Sequence, residues 1–291
     1  MQTKTFNNAP TFTMLQELAV IVQTGTAVEC VAKAESMLAH PLFVGVHWQR
    51  DMAKLVSVFT DSRPRFSIFA KRGNKKLPFV AFSTLPGVTC PGAGECLQYC
   101  YSFRAWRYPA AFATQVQNAF LMRFSMPTIA AEFALLSQAK KFTDGFDFRL
   151  YVDGDFSSQA DLEFWMALIE ATPKVRAYGY SKSFGLFLEY DRLNTFPKNY
   201  MVNLSSGHNS DAVTAALFSA LPVVRGSFKA VAVAGLGKHI DHASKEHQKT
   251  LRAAYKSKAF TCPGDCGNCT PTGHACGSEK FRNVDIIIAV H

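Results

Sequence analysis

A chain of 291 residues with 48% hydrophobic composition can bury one large core or two modest ones. No run approaches the roughly 20 apolar residues of a membrane helix. The opening MQTKTFNNAP also lacks the charged-then-apolar layout of a secretory signal, so a cytoplasmic protein with no membrane partner is expected. The excess of 31 Lys+Arg over 22 Asp+Glu, +9 in all, favours an anionic partner, either nucleic acid or a phosphorylated small molecule.

Residues 12–60 carry apolar positions at helical spacing in FTMLQELAVIV, AVECVAKAESML and WQRDMAKLVSVF. They define an N-terminal helical region over 1–64. Gly73-Asn74 between two β-rich runs predicts a hairpin leading into a main domain over 65–291. Six strand-like runs follow: 77–84, 147–153, 175–181, 200–205, 228–234 and 284–290. Amphipathic segments such as QADLEFWMALIEA separate them, which implies parallel pairing with helical crossovers. The expected fold is α/β, a parallel sheet resembling a partial six-stranded (β/α) barrel.

In such folds chemistry collects at the carboxyl ends of the strands. There the sequence places the first cysteine loop after strand one, Asp153-Gly154-Asp155 after strand two and Ser181-Lys182-Ser183 after strand three. Ser205-Ser206-Gly207-His208 follows strand four and Gly235-Leu236-Gly237 follows strand five. Asp153, Asp155, Lys182 and His208 are the candidate catalytic groups, because carboxylates, an ammonium and an imidazole at strand ends can hold or move protons. Asp155 has a second reading as the N-cap of the next helix, a role open equally to Ser157 or Ser158.

Eight cysteines in a cytoplasmic protein point to ligands rather than disulfides. Cys30 lies alone in an apolar helical pattern and reads as a packing residue. Cys90, Cys96 and Cys100 lie in TCPGAGECLQYCY; three thiolates suit a [4Fe–4S] cluster with one open iron, or zinc with a ligand from elsewhere. Cys262, Cys266, Cys269 and Cys276 lie in CPGDCGNCTPTGHAC; four thiolates close a site, for a second [4Fe–4S] cluster or for structural zinc. Tyr101, Phe103, Arg104, Trp106, Arg107 and Tyr108 interleave aromatic and basic groups, suited to stacking bases or to covering a cluster from water.

The stretch GNKKLPFVAFSTLPGVTCPGAGECLQYCYSF, followed by RLYVDGDFSSQADLEFW and VRAYGYSKS, resembles the phage and plasmid family called gene product 88, over roughly residues 65–290. The order of loops is also similar to the radical S-adenosylmethionine superfamily. By position after strand one, that second resemblance implies a cluster on Cys90, Cys96 and Cys100, although the three-then-two spacing of Cys262, Cys266 and Cys269 matches the superfamily's triad as well, and it puts Asp153, Gly154 and Asp155 at the methionine amino group. It further implies Ser205, Ser206, Gly235 and Gly237 along the ribose and adenine, and a reductant protein as partner. The expectation is an iron–sulfur enzyme acting on a nucleic acid or nucleotide. The alternatives are a DNA- or RNA-binding protein of a mobile element with structural zinc, and a zinc-dependent hydrolase or nuclease using Asp153 and Asp155.

Overall fold

The computed structural model describes residues 10–71, 79–233, 241–264, 269–270 and 274–290. Cys266, Gly235, Gly237 and the Gly73-Asn74 turn lie outside the described residues. The chain divides into two compact units, one of residues 1–69, 83–89 and 100–143, the other of 70–82, 90–99 and 144–291.

The first unit is helical. It contains α1 (Pro10–Thr24), α2 (Ala27–Leu38), α3 (Val46–Asp61), α4 (Pro109–Phe124) and α5 (Met126–Ser137). Described residues 10–64 belong to this unit. Thr26 opens α2 with a reciprocal cap, its hydroxyl accepting from the Glu29 amide while the Glu29 carboxylate accepts from the Thr26 amide. Cys30 is fully buried on α2, as a packing residue should be. Two buried amides on α4 tie down an extended segment: Gln117 pairs with the Arg65 and Phe66 amides and the Phe66 carbonyl, and Asn118 donates to the Ile68 and Ser83 carbonyls. Phe12, Phe103, Trp106 and Phe112 form one aromatic cluster. Trp106 and Phe103 are thereby spent on the core, leaving Tyr101, Arg104, Arg107 and Tyr108 exposed. No single described helix is long and apolar enough to cross a membrane; α4 and α5 have that composition only as a pair bent by 115°.

The second unit is built on an all-parallel sheet of seven strands: β1 (Val80–Ala81), β2 (Asp147–Leu150), β3 (Arg176–Ser181), β4 (Tyr200–Ser205), β5 (Val224–Val231), β6 (Ala259–Thr261) and β7 (Asp285–Ala289). Their order is β1-β2-β3-β4-β5-β7-β6, with β1 and β6 as edges. The α/β parallel architecture is therefore the one expected, with one more strand, since β6 enters directly before the second cysteine loop. Helices α6 (Gln159–Glu170), α7 (Phe184–Leu193), α8 (Ala212–Ala220) and α9 (Lys245–Ala254) complete the unit.

Alternation along the strands separates two faces. Phe148 meets Trp165 of α6 on the helix-covered face. Asp147, Arg149, Tyr178, Tyr180, Met201, Phe228 and Ile286 share the other face by register, and Tyr178, Tyr180, Met201, Phe228 and Ile286 pack with the second cysteine loop. Burying Trp165, Phe82 and Phe148 together contributes roughly 1.5–3 kcal/mol each from apolar area alone.

Candidate functional site

The carboxyl ends of β2, β3 and β4 are joined by a chain of polar contacts. After β2 the backbone turns through two left-handed residues, Tyr151 (φ 54°) and Gly154 (φ 80°). This turn delivers Asp155, 4% exposed, against the end of β3. Its carboxylate accepts from the Ser181 hydroxyl at 2.9 Å, the Lys182 amide at 2.7 Å and the Phe156 amide at 2.8 Å. Burial pushes the Asp155 carboxyl above its ordinary range despite these donors and the nearby Lys182 charge. The N-cap of α6 is Ser158, whose hydroxyl accepts from the Asp161 amide. Asp155 is thus a loop-stapling carboxylate and not a cap.

Lys182 reaches the other way, its Nζ donating to Ser205 Oγ at the end of β4 at 2.7 Å. Ser206 belongs to the ladder: its amide donates to the Phe228 carbonyl and its Oγ accepts from the Ala230 amide. Asp153 and Gly154 occupy the half-buried turn just before Asp155.

The loop carrying Cys90 and Cys96 sits on these same ends. Ala93 and His208 form an antiparallel bridge, and the Gly207 carbonyl accepts from the Gly94 and Cys96 amides at 3.0 and 3.1 Å. Asn209 adds an amide bond to the Gly92 carbonyl and a side-chain bond to the Pro91 carbonyl. A Cβ on Gly92 would lie 1.8 Å from the Lys182 carbonyl oxygen, and one on Gly94 would lie 2.8 Å from the His208 carbonyl. Gly207, at φ 75°, is pressed against Cys96 and the Tyr99 hydroxyl. Glycine is required here because backbone meets backbone.

Cys90 and Cys96 are half-buried within this arrangement. His208 packs its ring on Phe184 at 4.6 Å, and its buried Nδ1 has no hydrogen-bond partner in the described protein. Cys100 follows Tyr99 directly in the chain and precedes the 3₁₀ turn Tyr101–Arg107 of the first unit.

The described residues of the second cysteine loop follow β6 and pack on the aromatic face. Cys262 and Cys276 are buried with Tyr178, Ala275 and Ile286, and Cys269 packs beside them. The Gly264 amide donates to Cys262 Sγ at 3.5 Å and the Ala275 amide to Cys269 Sγ at 3.3 Å. The Cys276 carbonyl accepts from Asn203 Nδ2 at 2.9 Å, and Asn203 Oδ1 accepts from Arg225 Nε at 2.6 Å. Arg225 is fully buried; its remaining donors meet the carbonyls of Phe281, Val284 and Ser227. Its hydrogen bonds thus go to neutral acceptors, and burial lowers its pKa from the ordinary value. His274 stacks on Tyr178 at 4.3 Å and lies 3.6 Å from Asp147, whose carboxyl stays below its usual range despite burial because His274 and Arg176 hydrogen-bond to it.

Sequence reasoning missed two polar features of this unit. One is Arg225-Asn203, whose only local signal was an arginine at the start of a strand. The other is Asp161, in the first turn of α6, which accepts from the Tyr151 hydroxyl at 2.5 Å and from the Ser157 amide at 2.8 Å. Burial, against these bonds, pushes Asp161 up to about 7.

Among the described residues no three His, Cys, Asp or Glu side chains are gathered to hold a metal ion, and Cys266 is not among them. The donor chemistry nonetheless suits thiolate ligation: amide N–H groups directed at Cys262 and Cys269 stabilise charge on sulfur, as outer-shell donors do around bound metals.

Fold and site together define an α/β protein whose polar groups and first cysteine loop converge on one end of a parallel sheet. The chain belongs to the Gene product 88 family, whose sequence model matches residues 60–284. No curated protein and no solved structure matches it.

Proposed function

We propose that this chain is an iron–sulfur enzyme of the radical S-adenosylmethionine type that acts on a nucleic acid or nucleotide, with its reaction centre at the carboxyl ends of β2, β3 and β4. The observation that carries the reading is the seating of the Cys90–Tyr99 loop on Lys182 and Gly207-His208, beside Asp155 and Ser205. Cys90 and Cys96 are the ligands on this loop, and Cys100 is the third thiol by its spacing in the sequence. These thiolates would hold a [4Fe–4S] cluster, which would supply one-electron reduction of S-adenosylmethionine.

The chain's own residues position and shield. Asp155 fixes the Ser181-Lys182 backbone, so Lys182 is presented to Ser205 from a rigid loop. An ammonium and a hydroxyl at this end are suited to a carboxylate or ribose. The unpaired lone pair or N–H at His208 Nδ1 is available to a ligand placed under the loop. Cys262, Cys266, Cys269 and Cys276 serve a second thiolate site, as an auxiliary cluster or structural zinc.

Purification of the full chain without oxygen tests this. Brown protein with iron and labile sulfide in equal amounts is the expected result; colourless protein with stoichiometric zinc and no iron contradicts it. That second result would favour the reading as a zinc-stabilised nucleic-acid-binding protein.

A further inference from the structure

The stretch from Lys245 to Lys258 concentrates charge more than any part of the reaction centre does. It holds five cations, Lys245, Lys249, Arg252, Lys256 and Lys258, against one carboxylate, Glu246. All five are exposed. Lys245, Lys249 and Arg252 are spaced i, i+4 and i+7 along α9, so they share one side of the helix at about 6 and 4.5 Å of rise. Lys256 and Lys258 follow in the turn that leads from α9 into β6, an edge strand of the sheet. Arg252 is fixed on that edge by its Nε, which donates to Thr261 Oγ1 at 2.9 Å.

From this we infer that α9 and the following turn form a docking surface for the phosphate backbone of a nucleic acid. The inference deepens the proposed function by naming where the polymer is gripped, and rests on it only for what the reaction acts upon. Three observations favour phosphodiester over other polyanions. Three of the cations recur along one helix face, and a duplex strand presents phosphates just as regularly, at about 3.4 Å along its axis. The apolar side of α9 is already used: Leu251 is buried with Ile287 and Ala289 against β7. Among the described residues no large apolar side chain of 241–264 is exposed, so the basic face lacks the insertion residues a membrane-surface helix carries. Among described residues 241–264 no aromatic side chain is exposed, and phosphate contacts carry no sequence information, so binding through them is independent of sequence.

The test is fluorescence anisotropy of a short labelled DNA duplex titrated with the full chain at several salt concentrations. The wild type should bind with a steep salt dependence. The triple variant Lys245→Ala, Lys249→Ala, Arg252→Ala should lose at least tenfold in affinity at 0.1 M salt and flatten the log–log slope by about 2.7, from three phosphate contacts removed. Lys245→Arg with Lys249→Arg should retain both. Equal affinity and slope in wild type and triple variant would overturn the inference, as would binding to phosphatidylserine vesicles without binding to DNA. Metal content separates this from the proposed function: iron-loaded protein that ignores DNA sinks only the docking surface, and zinc protein that binds DNA through these residues sinks only the iron chemistry.

Discussion

In the first cysteine loop, half-buried thiols sit on a backbone pinned by glycines against Lys182, Gly207 and His208, next to a buried carboxylate, an ammonium and a hydroxyl. In the second, Cys262 and Cys276 are buried among Tyr178, Ala275 and Ile286, and Asn203 links the Cys276 carbonyl to a guanidinium whose hydrogen bonds among the described residues go to neutral acceptors. The same side chain thus meets an open polar edge in one place and a dry apolar face in the other. Dryness suits a permanent, closed ligand set; a polar strand-end edge suits a centre that admits substrate.

The largest expected effect lies in the second region. Replacing Arg225 by Met strips hydrogen bonds from Asn203 Oδ1 and from the Phe281 and Val284 carbonyls, all on the same side of the unit. Each buried acceptor left unpaired costs about 1–3 kcal/mol. Urea unfolding should therefore show a loss of roughly 3 kcal/mol or more, and a loss below about 1 kcal/mol would mean that the guanidinium does not anchor the loop.

In the first region Gly207→Ala should cost about 1–2 kcal/mol for the left-handed backbone, with more from the collision against Cys96. It should also release the Cys90–Tyr99 loop, seen as faster amide exchange of Gly94 and Cys96. Unchanged protection of those two amides would break the assignment of the loop to the strand ends.

Acidity distinguishes the regions next. Asp155 and Asp161 both have folded pKa values raised by burial, Asp161 to about 7. Between the unfolded value near 3.8 and about 7 the folded state therefore holds more protons than the unfolded one. Their contribution to stability is full below about pH 4 and is lost as the pH rises toward neutrality. Thermal unfolding followed from pH 5 to 8 should show this decline, and Asp161→Asn should flatten it. The smallest effect belongs to Cys30→Ala, a core methyl-sized change of about 1 kcal/mol that leaves metal content untouched.

Much of this was legible in the sequence because it is periodic or local. The runs 175–181 and 200–205 became β3 and β4 nearly residue for residue, since each is a continuous apolar-rich strand bounded by turn residues. The strand expected at 228–234 begins earlier, at Val224, because Arg225 hides its start: a buried arginine reads as a boundary when its partners are 22 and 56 residues away. Strand β6 escaped notice because Ala259–Thr261 is three residues long, too short for any period. The close approach of Gly92 and Gly94 to Lys182 and His208 was not legible, because those partners lie about 90 and 114 residues further along the chain. Asp155 could not be separated from a helix cap until its carboxylate was seen facing Ser181 and Lys182, 26 and 27 residues on.

The most direct test of the central claim compares cleavage of S-adenosylmethionine to 5′-deoxyadenosine by reconstituted Cys96→Ser and Cys269→Ser chains under a strong reductant. A reaction centre under the first loop predicts that Cys96→Ser abolishes cleavage while Cys269→Ser retains it. Cleavage that survives in Cys96→Ser and vanishes in Cys269→Ser would contradict it.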